Sequence, residues 1–358
     1  MKATILRKFL LKKDEGSFQQ ELLKKDKLSY PPRHVTIGIT STCSNKCVFC
    51  AYHSLDARGN SNVYDLQYKL AFNDFKRMVD MCYAGRVPAI HISATGEPFF
   101  HDDIMNMIDY VIKIYGSVSF QTNFFRPLFE KNDYLENIIE RSTHISKITT
   151  DMLSGNSSQH EQLKKGSTYE DVLSVLEYLS KRSNIKFEIH YILTKTNYMH
   201  IGPLIHDLNA RHICCYVAVV NLHPHNFNSF TSPDMMYRSS DTAITEELYR
   251  IKNLGNKYGI EVMICKPSDS KDIKCGSFWT RFQTWPVKGI AEERYHENVI
   301  VGGCNAVVKG SLKTLGYFFD YKTIMDLWNN THFLNIRGNL MKGIYPDKEC
   351  KDCQAYNN

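Results

Sequence analysis

The chain has 358 residues, 43% of them apolar and 23% charged, with a formal net charge of +6. That composition suits roughly two folded domains, and the mild basic excess gives no reason to expect a specific nucleic-acid partner. No apolar run approaches the ~18 residues that span a membrane. Eleven cysteines, an odd number, with no secretory signal argue for reduced thiols in the cytoplasm and against a disulfide framework.

Residues 1–33 are basic and polar, and the run MKATILRKFLLKK reads as a short leading helix. Tyr30-Pro31-Pro32 marks entry to a first strand, Val35 to Ile39, whose apolar residues alternate. The next stretch, TSTCSNKCVFCA, places Cys43, Cys47 and Cys50 on the loop leaving that strand. Helical spacing follows over 66–83, then a strand over 87–93 and the segment Ser93-Ala94-Thr95-Gly96-Glu97-Pro98. Further pairs are a helix at 102–115 with a strand at 117–122, and a helix at 134–141 with a strand at 145–150. A helix at 168–181, capped by Ser167 or Thr168, precedes a strand at 185–193. A short helix at 200–208 leads to a strand at 212–222. Residues 223–245 read as a linker or active-site loop, followed by a helix at 246–258 and a short strand at 260–265. This alternation predicts parallel strands in an α/β fold, a partial TIM-like (β/α)6 barrel with its active site at the C-terminal strand ends. Beyond about residue 270 the alternation stops. The division expected is therefore a leading segment 1–33, a barrel 34–270 and a cysteine-rich extension 271–358.

Three thiolates this close in sequence suit zinc or an iron–sulfur cluster. A closed zinc site takes four protein ligands. A cubane cluster held by three cysteines keeps one iron open for chemistry. In the extension Cys275, Cys304, Cys350 and Cys353 stand apart, the last pair as C-x2-C. Cys82 and Cys265 fall on apolar faces. Cys214 and Cys215 point to opposite faces of a strand, so one of them could offer a hydrogen atom inside the barrel.

The C-x3-C-x2-C spacing, its place after a first strand and Phe49 before the last cysteine resemble the radical S-adenosylmethionine (SAM) enzymes. The resemblance implies a [4Fe–4S] cluster on Cys43, Cys47 and Cys50, with SAM chelating the open iron and Phe49 near its adenine. Thr95-Gly96-Glu97-Pro98 resembles the family's GGEP motif, which binds the SAM ammonium. Thr122-Asn123 resembles its TN segment, and Thr149-Thr150-Asp151 its S-x-D segment near the ribose and carboxylate. Lys164 and Lys165 fall where many members carry an arginine toward the SAM carboxylate, although a solvated helix face is an equal reading. The order C…C, Leu315-Gly316, Ile324-Met325-Asp326-Leu327-Trp328-Asn329, Arg337 and C-x2-C resembles the SPASM/twitch extension. It implies one auxiliary [4Fe–4S] cluster on Cys275, Cys304, Cys350 and Cys353, with a four-cysteine zinc site as the alternative. The Cys275–Cys304 gap is long, so 281–296 reads as an inserted loop near the substrate.

By the same resemblance the enzyme is an oxidoreductase. A flavodoxin- or ferredoxin-type reductant feeds the cluster, SAM yields a 5′-deoxyadenosyl radical, and a C–H bond of a small hydroxylated substrate is attacked. The substrate class is a sugar, sugar nucleotide or cyclitol-like alcohol. His190 and Tyr191 are the candidate bases. Peptide modification, epimerisation and a non-catalytic zinc protein are the other readings.

Overall fold

The computed structural model describes residues 25–50, 52–54, 68–223, 231–267, 269, 275–286, 299–304, 314–346 and 350. Its strands are β1 (His34–Gly38), β2 (Lys46–Cys47), β3 (Ile90–Ser93), β4 (Val118–Gln121), β5 (Ile145–Asp151), β6 (Lys164–Lys165), β7 (Phe187–Leu193), β8 (Cys215–Asn221), β9 (Glu261–Ile264), β10 (Arg281–Pro286) and β11 (Val299–Gly302). Nine of them form one sheet in the order β11-β10-β1-β3-β4-β5-β7-β8-β9, while β2 and β6 pair separately. From β1 to β9 the neighbours follow chain order and run parallel. This is the partial barrel expected, left open between its edges β9 and β11.

Two-residue alternation decides which face each strand buries. Val35 and Ile37, Ile90 and Ile92, Val118 and Phe120, Ile148, Phe187 and Ile189, and Val217 are all buried in one core. The same core takes the apolar faces of α1 (Phe72–Ala84) and α2 (Ile104–Tyr115), with α3 (Arg126–Lys131) and α4 (Tyr134–Glu140) contributing Phe129 and Ile138. After α5 (Ser157–Leu163), it also takes those of α6 (Tyr169–Arg182), α7 (Ile201–Ala210) and α8 (Thr242–Tyr258). Each large apolar side chain so enclosed contributes about 1.5–3 kcal/mol. Of the two expected caps, Thr168 opens α6, its side chain accepting from Asp171 N. The alternate residues, Thr36, His91, Ser119, Lys147, Glu188 and Tyr216, share the opposite, inner face of the sheet.

The chain beyond residue 270 does not leave the sheet. After α9 (Ser277–Thr280), β10 lies parallel to β1, and β11 returns antiparallel to β10. Residues 281–286, expected to begin an inserted loop, are therefore a sheet strand, and residues 287–298 lie outside the described residues. Helices α10 (Ile324–Trp328) and α11 (Thr331–Met341) then fasten the segment before β1. Asn329 exchanges hydrogen bonds with Leu28, its Oδ1 accepting at 2.8 Å and its Nδ2 donating at 2.9 Å. Arg337, wholly buried, donates to the carbonyls of Phe278 (2.7 Å) and Asp26 (3.0 Å) and stacks on Trp328. The leading helix expected at the N-terminus lies outside the described residues.

Candidate active site

The three thiols sit where the sequence placed them, on the loop leaving the C-terminal end of β1. Their loop is held from two sides. On one side β2 pairs with β6, setting Cys47 opposite Lys164, and Val48 N donates to Leu163 O (2.9 Å). On the other, Gly96 N donates to Thr40 O (3.3 Å) and Glu97 N to Thr42 O (2.8 Å). Gly96 lies so close that a Cβ there would stand 2.0 Å from Thr42 O. The glycine thus brings its loop against the backbone of the thiol loop.

Glu97 is buried at 1% exposure and clasps the end of β4. Its carboxylate accepts from Phe99 N (3.1 Å), Thr122 Oγ1 (2.8 Å) and Asn123 N (2.5 Å). Burial pushes the carboxyl up, against these hydrogen bonds. Of its neighbours, Pro98 starts a buried 3-10 turn and Thr95 is half-buried. Phe49 packs with Leu153, Leu222 and Met236. Lys164 is wholly buried in β6, not on a solvated helix face, and Lys165 beside it is exposed.

The thiols have the surroundings of metal-bound sulfur. Cys50 Sγ accepts from the backbone N–H groups of Tyr52 (3.4 Å) and His53 (3.2 Å), and Asn123 Nδ2 approaches Cys43 Sγ at 3.9 Å. Such donors stabilise cluster thiolates. Burial pushes the Cys43 thiol up to about 12 and raises Cys47 and Cys50 as well, so unaided thiolates are disfavoured there. Among the described residues no three His, Cys, Asp or Glu side chains converge as ligands of a single ion. A four-iron cluster is a larger body, and its thiolates stand further apart than the ligands of one ion. The donor chemistry fits such a cluster.

Inside the barrel a polar network runs across the strands. Ser93 Oγ donates to Gln121 (3.4 Å), and Gln121 Nε2 donates to Asp151 (3.4 Å). His190 Nδ1 is 3.7 Å from Asp151, and its Nε2 lies 3.0 Å from Glu188 Oε1. Lys147 pairs with Glu188, and Thr149 Oγ1 donates to it (3.3 Å). Burial pulls the His190 imidazolium down, but Glu188 and Asp151 more than offset that and raise it above the ordinary histidine value. Burial likewise pushes Glu188 up, yet His190 and Lys147 hold it well below the usual carboxylate range. His190 therefore belongs to the inner face. Tyr191 does not: it is buried in the outer core and its hydroxyl donates to Asn197 O (2.7 Å), which removes it as a candidate base.

Neither adjacent thiol joins the network. Cys215 is buried in the outer core, and Cys214 is exposed ahead of β8, its N–H bonded to Ser180 Oγ (3.3 Å). Sequence reasoning missed Lys147, Glu188, Gln121 and His91. Their signal lay in the strands themselves, where HVTIG, IHIS, VSFQ and FEIHYIL carry polar residues at alternate positions. A parallel sheet packed on both faces would be apolar at both.

Cys275 precedes β10 and Cys304 follows β11, so the hairpin brings both to the end of the sheet opposite the three thiols. Gly303 packs on the Phe278 ring, which a Cβ would meet at 2.3 Å. This joins the two cysteine segments. Cys350 is half-buried, and Cys353 lies outside the described residues.

The family model of the radical SAM superfamily matches residues 37–208. This stretch is a radical SAM domain. A domain of this kind implies a [4Fe–4S] cluster and SAM binding. No curated protein matches the sequence. Among solved structures the fold is similar to SuiB of Streptococcus suis bound to S-adenosylmethionine, with a TM-score of 0.67 and 16% identity over 94% of this chain and 75% of that one. SuiB bound to its precursor peptide SuiA gives 0.65 and 17% over 95% and 75%. The enzyme anSMEcpe with bound AdoMet gives 0.61 and 16% over 90% and 86%. At these identities the likeness is one of fold. Among the described residues no helix is long and apolar enough to cross a membrane.

Proposed function

We propose that the chain is a radical SAM oxidoreductase acting on a small hydroxylated substrate held within the barrel, with a second cluster on Cys275, Cys304, Cys350 and Cys353. The observation that carries this reading is the polar network of Ser93, Gln121, Asp151, His190 and Glu188 on the inner face, between cysteine groups at opposite strand ends. The β1 strand alone sets these ends apart by about 15 Å. Cys43, Cys47 and Cys50 would hold the first cluster, which would supply one-electron reduction of SAM with electrons from a flavodoxin- or ferredoxin-type protein. The chain's own residues then orient and exclude. Asn123 and the 52–53 amides hold the thiolates, Phe49 lines the mouth near the adenine, and Thr95 and Asp151 stand around the SAM headgroup. Gln121 and Asp151 offer hydrogen bonds to substrate hydroxyls. His190, its basicity raised by Glu188 and Asp151, would take the hydroxyl proton released on oxidation, and Cys275, Cys304, Cys350 and Cys353 would hold the group that supplies an acceptor for the second electron.

A peptide substrate is the second reading. SuiB, similar in fold over 95% of this chain, is known in complex with its precursor peptide.

The test is anaerobic. Iron and sulfide are counted, and 5′-deoxyadenosine is assayed with dithionite and SAM. About eight irons per chain and SAM cleavage are expected, about half the iron remaining after joint replacement of Cys350 and Cys353. Cys43→Ala should retain the fold and lose SAM cleavage. A variant that still yields 5′-deoxyadenosine would sink the assignment, and zinc without iron would remove the enzyme reading. Stimulation of turnover by short peptides, but not by sugars or cyclitols, would favour the second reading.

A further inference from the structure

We propose that Lys164 is the built-in counter-ion of the cluster on Cys43, Cys47 and Cys50 and raises its reduction potential. This rests on the radical SAM reading of the same site. Lys164 has no solvent exposure. Its backbone is fixed in β6 directly opposite Cys47, so it is tied to the thiol loop by a ladder and not by a flexible contact. An ammonium carries three donors. One of them goes to a neutral acceptor, the Asp151 carbonyl, at 2.7 Å.

Among the described residues no carboxylate lies within ion-pair distance of Lys164 Nζ. The acids of the neighbourhood are engaged elsewhere. The Asp151 carboxylate faces Gln121 and His190, while that of Glu97 takes its hydrogen bonds from Phe99, Thr122 and Asn123. A buried ammonium without an anion is strongly unfavourable. Across the ladder lies the sulfur set: Lys164 acts electrostatically on Cys43 and Cys47, and also on the more distant Glu97 carboxylate, which is beyond ion-pair reach. Three thiolates on a [4Fe–4S] core in its 2+ state leave one net negative charge. A one-electron reductant takes the core to 1+ and doubles that charge, with no proton or leaving group involved. A fixed cation therefore stabilises the reduced form more than the oxidised one. The SAM carboxylate is the rival anion, but SAM comes and goes, and an ammonium with no exposed surface is placed for a permanent partner.

The test compares wild type, Lys164→Met and Lys164→Arg, purified without oxygen. Iron is counted, and the midpoint potential is measured by EPR-monitored titration in the absence of SAM. The relevant signal is the one that SAM later perturbs. Lys164→Met is expected to keep its iron and shift to a more negative potential, and Lys164→Arg to stay near wild type. An unchanged SAM-free potential in Lys164→Met overturns the proposal; weaker SAM binding in that case makes Lys164 a ligand of the SAM carboxylate. If Lys164→Met takes up no iron, the arginine variant decides, because failure there too shows that charge is not what matters. Absence of iron from the wild type would instead defeat the radical SAM reading itself.

Discussion

Gly96 shows how one residue couples two motifs. A glycine lets another group approach the backbone closely, and here the group that approaches is Thr42, next to Cys43. Gly96→Ala must push that backbone aside, at a cost of about 1–3 kcal/mol or more. The expected outcome is lowered iron content and an earlier urea midpoint, and full iron retention would show the loop to be yielding. Glu97, chosen for the SAM ammonium, is visibly a clasp between strand ends, a role that no local sequence signal announces. His190 and Tyr191 illustrate a different limit. Neighbours in a strand face opposite ways, so at most one of them could line the barrel. Both were named from the sequence, although the alternation FEIHYIL separates them; the structure puts His190 on the inner face and Tyr191 in the outer core.

At the scale of elements, the parallel strands were legible because each is short, apolar on one face and followed by a helix. The helix α5 and its exit were not. HEQLKKG carries helical composition, yet the chain turns into β6 after Leu163 because the thiol loop offers backbone partners there. Strand β10 was hidden for the same reason: its partner is remote in sequence. The motif residues gain a physical meaning here, since Asn329 and Arg337 bind the segment before β1 and Trp328 stacks on Arg337. Burial lowers the Arg337 guanidinium to about 9, so this contact is held in a demanding environment. Arg337→Met leaves the buried Phe278 carbonyl and the Asp26 carbonyl without their donor, at a cost of about 2–4 kcal/mol. Urea unfolding should report the loss, with faster amide exchange at residues 25–28. Unchanged exchange would show that Asn329 suffices, together with Trp279, whose indole N–H donates to Lys25 O at 2.7 Å.

For the whole molecule, five histidines set the response to acid, among them His101, which burial lowers. Burial pulls His34, His91 and His160 down to about 3, with Arg281, Lys147 and Lys164 respectively adding to it. Burial, with Arg281 and His190, takes His223 to about 4. These folded values lie below that of a free imidazole, so the unfolded chain binds protons more readily. The stability they contribute is complete above about pH 6.5 and declines as pH falls toward their folded values, by about 1.4 kcal/mol per pH unit for each. His190 acts oppositely, its contribution being present at low pH and lost as pH rises through its raised value. Five against one predicts a urea midpoint that drops between pH 7.5 and 5.5, and a flat profile would contradict the burial of these rings. One topological feature reaches beyond the folded state. Thr284 of β10 bonds to Thr36 of β1 across 248 residues of chain. During synthesis at about 5–20 residues per second, β1 therefore waits roughly 10–50 s with that edge uncovered. An apolar strand with an open edge invites pairing with other chains. Slow or crowded expression is thus the step at which this protein is most exposed to aggregation, before any cluster is inserted.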